Sequence, residues 1–258
     1  MSFYLDNLIP ITLITRAVII GALLAGLWLA LRRADLDDAA RRRAFLAVTV
    51  PLLVWMILIW IFAAQGAFVV SRGNPVPAIP LAVIIPLLVA LPLLIRSRPI
   101  AAAVDATPPS WLIGLQAYRV FGGVFLLQWA DGQLPGAFAL PAGTGDVLTG
   151  LLALPVALYL HSGARGGRLA AVAWNIFGIA DLVLALTMGT LTSPSRVQML
   201  AFDQPNPIGG MFPTVMIPTF AVPLSLILHG LSLWQLRRAG RREAGARAAG
   251  FAEARAAR

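Results

Sequence analysis

The stretch "WLIGLQAYRVFGGVFLLQWADG", residues 111–132, decides the fold. From Trp111 to Ala130 it is apolar over about the 20 residues that a helix needs to cross a hydrocarbon core ~30 Å thick. Gln116 and Arg119 nevertheless sit well inside that run. A cation in hydrocarbon is costly unless a partner or water meets it, so the stretch predicts a membrane span whose polar partners lie on other spans.

Six further runs of similar character lie at residues 9–31, 45–64, 76–95, 143–161, 169–191 and 212–236. With 111–130 they make seven, in a chain of 258 residues that is 59% hydrophobic and only 12% charged. The expected fold is therefore all-α: a polytopic seven-transmembrane-helix bundle forming one domain over 1–236, followed by a basic tail, 237–258. The connections are too short to fold separately. The opening "MSFYLDNLIP" has no basic n-region and the apolar run after it is long for a signal peptide, so the first run is read as a retained span.

The basic residues give an orientation. All 20 are arginine. Arg32, Arg33, Arg41, Arg42 and Arg43 follow the first span, Arg96 and Arg98 the third, Arg165 and Arg168 the fifth, and seven more fill the tail. The alternate connections hold only Arg72 and Arg196, so an external N-terminus and a cytoplasmic C-terminus are expected. The net charge of +9 is thus topogenic, and no nucleic-acid partner is expected. The bilayer itself is the expected partner, and the tail has the composition of a basic helix on anionic lipid, with Phe251 dipping in.

Chemistry, if present, belongs to the polar groups inside spans. Arg16, Arg119, Asp146 and Asp181 are the ionisable ones. At ~1.5 Å per residue Arg119 lies ~13 Å and Asp181 ~18 Å from the arginine-rich end, so the two are expected near mid-membrane. Asp146 is expected in the outer third, reached through the glycine-rich "LPAGTGDVLTG". On α-helical spacing Gln116, Arg119 and Gly123 share one face, as do Trp174, Gly178, Asp181 and Ala185, and Ser225, His229 and Ser232. Asn175 lies on the same span as Asp181. The expected ligand site is Gln116, Arg119, Asp146, Asn175 and Asp181, with Arg16, Ser225, His229 and Ser232 secondary. The competing reading makes the charges ties between helices, and Arg16 a side chain reaching for the nearer surface.

Several classes are excluded or disfavoured. Without lysine there is no retinal Schiff base, and without cysteine no thiolate chemistry. His161 and His229 are the only histidines, so no metal site and no cofactor is expected. The segments "LQAYRVFGG", "LPGAFALPAGTGDVLTG", "WNIFGIADLVLA" and "FPTVMIPTFAVPLSLILHGLSLWQL" resemble an uncharacterised family of bacterial seven-helix integral membrane proteins, over residues 115–236. The resemblance implies a bacterial inner-membrane setting and carries no activity or site residue with it.

The expected function is a small transporter or sensor whose interior site takes an anionic or zwitterionic ligand, with proton coupling through Asp146 or Asp181. A rival is an intramembrane enzyme acting on a lipid or isoprenoid. There Asp146 or Asp181 would be the catalytic acid, and Phe121, Phe125, Trp129, Trp174 and Phe177 would supply aromatic faces to a cationic intermediate. A third reading is a structural subunit that packs through small residues such as Ala22 and Gly26.

Overall fold

The computed structural model describes residues 2–71 and 78–256, with side chains described from Ile9 to Arg241 except at Ile95. Arg72, the first residues of the run at 76–95 and the side chain of Phe251 lie outside the described set. No strand occurs among the described residues. The helices are α1 (Ser2–Arg33), α2 (Asp38–Ala64), α3 (Ala78–Arg96), α4 (Arg98–Ala106), α5 (Pro109–Gly114), α6 (Val124–Ala130), α7 (Gly136–His161), α8 (Gly167–Thr192) and α9 (Val222–Ala256). A 3-10 helix, Leu115–Gly123, joins α5 to α6, and a π-helical segment, Ile217–Ala221, leads into α9.

Six of these units are long and apolar enough to span a membrane: Ile9–Arg33, Asp38–Ala64, Pro109–Ala130, Gly136–His161, Gly167–Thr192 and Ile217–Arg241. Ala78–Leu94 and Arg98–Ala106 meet at 89° and make a seventh when counted as one broken span. The distribution of polarity is that of a membrane protein. Leu88, Leu158 and Leu169 are more than three-fifths exposed, whereas Gln116, Gln128, Asn175, His229 and Ser232 are wholly buried. A water-soluble domain would invert that pattern.

The capping residues explain where elements begin. Asp37 accepts from the Ala40 N–H at 2.7 Å to start α2, and Arg41 ties the first turn to Asp38 at 2.5 Å. Ser97 caps α4, whose apolar residues Ile100, Ala103 and Val104 are buried at the arginine-rich end of the bundle. Gln235 of α9 donates there to the carbonyls of Val104 and Thr107, and Arg238 pairs with Asp105 at 2.7 Å. The expected boundary between bundle and tail at 236 is no break in structure, because α9 continues through it to Ala256.

Two departures from regular helix position the interior. In the π segment the Val222 N–H donates to the Ile217 carbonyl, five residues back. Pro223 has no N–H for the Thr219 carbonyl, and the Trp55 indole N–H supplies one instead at 3.2 Å. In the 3-10 segment three residues make a turn, so the buried stripe runs Ile113, Gln116, Arg119, Gly122, Phe125, Gln128, every third residue. This corrects the α-helical face expected from the sequence: Gly122, not Gly123, is buried beside Arg119. The run 111–130 is one span built from two kinds of turn, α at both ends and 3-10 between them.

Candidate functional site

Arg119 stands at the middle of that stripe and three neighbouring elements close on it. Its Nε donates to Asp146 Oδ1 at 2.7 Å, and Nη2 forms ion pairs with Asp146, at 2.6 Å, and with Asp181. Nη1 donates to the Gly178 carbonyl at 3.1 Å and meets His229 Nε2 at 3.2 Å. A guanidinium only donates, so His229 Nε2 accepts and the ring proton sits on Nδ1. Nδ1 in turn donates to Asn175 Oδ1 at 2.9 Å, and Asn175 Nδ2 donates to Ser232 Oγ at 3.0 Å and to the Ala171 carbonyl at 2.8 Å. One directed chain of hydrogen bonds thus runs from the two carboxylates through Arg119 to Ser232. Trp174 packs on the His229 ring at 5.0 Å and is fixed by its N–H to the Thr149 carbonyl at 3.0 Å.

Glycines make room for each of these groups. A Cβ on Gly122 would occupy the place of the Asp146 carboxylate, one on Gly145 that of Asp181, and one on Gly178 that of the His229 ring. Gly150 lets α7 approach the backbone at Arg119 and Val120. Each charged or imidazole side chain therefore lies over a glycine of a neighbouring helix. Close helix approach at small residues and satisfied polar groups are what an ionised cluster inside a membrane requires.

Asp146 corrects a second expectation. "LPAGTGDVLTG" is no irregular approach but lies wholly inside α7, which starts at Gly136. Asp146 is ten residues into that helix, ~15 Å along its axis. Pro135 stands at the helix start, and Pro141 lies inside the helix, where it leaves the Ala137 carbonyl without an i→i−4 donor.

Two cavities meet at Asp146. One, of about 80 Å³, is lined by Arg16, Tyr118, Arg119, Asp146 and Ser225 together with Thr12, Thr15 and apolar residues of the π segment. The other, of about 420 Å³, opens among the connections at the arginine-poor end and is lined by Phe68, Phe138, Thr190, Ser193 and Asn206 as it runs inward to Asp146. Leu182, Ile217 and Val222 are walls of both. Across the smaller cavity the Tyr118 and Ser225 hydroxyls hydrogen bond at 2.8 Å.

The family model described as Domain of unknown function (DUF8737) matches residues 75–237. The chain belongs to that family. The matched region of this DUF8737 member contains Arg119, Asp146, Asn175, Asp181, Ser225, His229 and Ser232, while α1, α2 and Arg16 lie before it. No curated protein and no solved structure matches the chain.

Of the residues singled out in the sequence, Arg119, Asp146, Asp181, Asn175, His229 and Ser232 form one network. Ser225 joins Tyr118 at the cavity. Gln116 stands apart: it is wholly buried and neither amide atom has a hydrogen-bond partner among the described residues. Arg16 is 6% exposed and lines the cavity, so the expectation that it reaches for a surface is corrected. No group of three or more metal-binding side chains occurs among the described residues. Phe121, Trp129 and Phe177 face outward, while Phe125 packs on Phe138 and Trp174 on His229. Tyr118 and the glycines 122 and 145 were not found from the sequence. The three-residue spacing of the stripe was the available signal.

Proposed function

We propose that this chain is a small transporter or sensor of a bacterial inner membrane, with its N-terminus outside and its C-terminus cytoplasmic, that takes an anionic or zwitterionic ligand in the cavity beside Arg119 and Asp146. The observation that carries the reading is that the two irregular helical segments, 3-10 and π, both line the cavity that holds the paired charges. Broken or strained helices beside an intramembrane charge are the usual construction of a site that changes shape. The larger cavity supplies a path from the arginine-poor end to Asp146. With Arg16, Arg119, Asp146 and Asp181 all ionised the site is electrically neutral, so an entering anion leaves one negative charge that a single proton offsets. That is the basis for proton coupling.

Trp129 and Phe177 are exposed on the outer surface, so two of the five rings that carbocation chemistry would draw on are turned away from the cavity, which supports ligand binding. The test is thermal unfolding of the purified protein against inorganic phosphate, glutamate, glycine betaine and palmitate. At least one is expected to raise the midpoint in wild type, and to do so at lower concentration in Asp181→Asn, which supplies the charge compensation without a proton. Uptake of that compound into proteoliposomes, with and without an inward proton gradient, then separates transport from sensing. No shift with any of the four would remove the reading.

A further inference from the structure

Arg119 is the deepest cation, but its hydrogen-bonding capacity is committed to Asp146, Asp181, His229 and the Gly178 carbonyl. Arg16 faces the same cavity in a different condition. It is 94% buried, its Nε has no hydrogen-bond partner, and no carboxylate forms an ion pair with it among the described residues. A buried guanidinium left in that state is a standing cost that an anion would relieve. The oxygen-bearing neighbours it shares the cavity with are Thr12, Thr15, Tyr118, Asp146, Thr214 and Ser225. Asp146 is paired with Arg119, Thr15 is turned back onto the Ile11 carbonyl and Thr214 accepts from Gln128, so the hydroxyls of Thr12, Tyr118 and Ser225 are the cavity's remaining polar complement to Arg16.

A lateral groove bears on what carries the anion. It has a volume of about 820 Å³, lies between α1 and the helices α5 and α7, and is lined almost throughout by apolar side chains from Val18 to Leu29 and from Leu154 to Leu158. Ile19, Tyr118 and Phe121 are walls of both this groove and the Arg16 cavity. The cavity itself, about 80 Å³, has room for a small head and for little more. A hydrocarbon chain, in contrast, fills an apolar groove that opens on the bilayer without any polar partner.

We infer that Arg16 and the cavity it lines bind the oxyanion head of a single-chain amphiphile, a carboxylate or phosphate, with the hydrocarbon tail lying in the groove between α1 and α7. This rests on the anionic-ligand reading above and names the anchor and the ligand class. Arg16 holds the head by charge-assisted hydrogen bonds, Tyr118 and Ser225 stand at the junction, and the Arg119 cluster forms the far wall. Gly26 lines the groove with only Leu115 in ordinary contact, so a leucine there fills the tail's path without touching the charges.

The experiment is labelling of the protein in phosphatidylcholine vesicles by a photoreactive palmitate, with mass mapping of the adducts and competition by palmitate, acetate and inorganic phosphate. Expected are adducts on α1 and α7, competed by palmitate at concentrations at least about tenfold below those of acetate or phosphate. A loss of about tenfold or more is expected in Arg16→Gln, partly restored in Arg16→Lys, and a comparable loss in Gly26→Leu. Equal labelling in Arg16→Gln, with loss in Arg119→Gln, would overturn Arg16 as the anchor and leave an anion site on the cluster. Competition by free phosphate or acetate as strong as by palmitate would overturn the tail. No competable labelling, together with no thermal shift by any anion, would remove both this inference and the reading beneath it. Folding of each variant is checked by its elution and its unfolding midpoint, and Arg16→Lys keeps the test decisive if the glutamine variant does not fold.

Discussion

Removing the Arg119 charge separates a cluster held by ionic compensation from one held by ordinary hydrogen bonds. Arg119 makes hydrogen bonds to Asp146, Gly178, His229 and Asp181. At the ~0.6 kcal/mol average for hydrogen bonds between membrane helices, four of them are worth ~2.4 kcal/mol. Taking one partner from a buried ion pair costs more, ~3–5 kcal/mol, because the opposite charge remains and is now uncompensated. Here two carboxylates remain, both against the same guanidinium. Arg119→Gln is therefore expected to destabilise the folded protein in mixed micelles by more than ~3 kcal/mol. Adding Asp146→Asn and Asp181→Asn to it should recover part of that loss, because no charge is then left stranded. The assay is equilibrium unfolding with increasing SDS fraction, followed by tryptophan fluorescence. A single variant that loses only ~2 kcal/mol, or a triple variant less stable than the single one, would refute the compensation argument.

Two further outcomes follow from the packing and the topology. Gly145→Ala and Gly178→Ala place a methyl group where Asp181 and His229 lie and should each cost ~1–3 kcal/mol, while Gly230→Ala, with nothing within 4 Å, should be neutral or stabilising in the same titration. With no native cysteine, Ser195→Cys and Ser162→Cys are single labelling sites at opposite ends of the bundle. In intact cells a membrane-impermeant maleimide should modify the first and not the second, and the reverse pattern would overturn the assigned orientation.

The spans were legible because hydropathy over about 20 residues is a strong signal and few soluble segments imitate it. The partnership of Arg119 with the two aspartates was legible because a buried cation must be met. What the sequence concealed is the backbone. "LPAGTGDVLTG" reads as an irregular approach from its proline and glycines, yet it lies wholly inside α7 and its glycines are where α7 touches its neighbours. The inward turn of Arg16 is hidden in the sequence because the register of α1 does not say which neighbours cover that face. Gly122 is hidden because a 3.6-residue repeat puts Gly123 on the Arg119 face, whereas the segment turns every three.

That three-residue repeat ties the charge cluster to the shape of the helix. An α-helix advances 100° per residue, so residues three apart drift by ~60°, and over the two steps from Gln116 to Gly122 by ~120°. In α form Arg119 and Gly122 would be offset by ~60° instead of eclipsed, and the seat that Gly122 provides for Asp146 would rotate by that amount relative to Arg119. The 3-10 form keeps them aligned at the expense of poorer backbone hydrogen bonds, and it is ~0.5 Å longer per residue, or ~4 to 5 Å over the nine residues from Leu115 to Gly123. Something must offset that cost, and the ion pairs of Arg119 with Asp146 and Asp181 lie at the centre of the segment. Weakening those pairs, by an anion that competes for Arg119 or a proton that neutralises an aspartate, lowers the advantage of the 3-10 form. Relaxation toward α would then shorten the span and move the wall that Tyr118 and Phe121 share between cavity and groove. Occupancy of the site and the length of the helix are in this way two readings of one equilibrium.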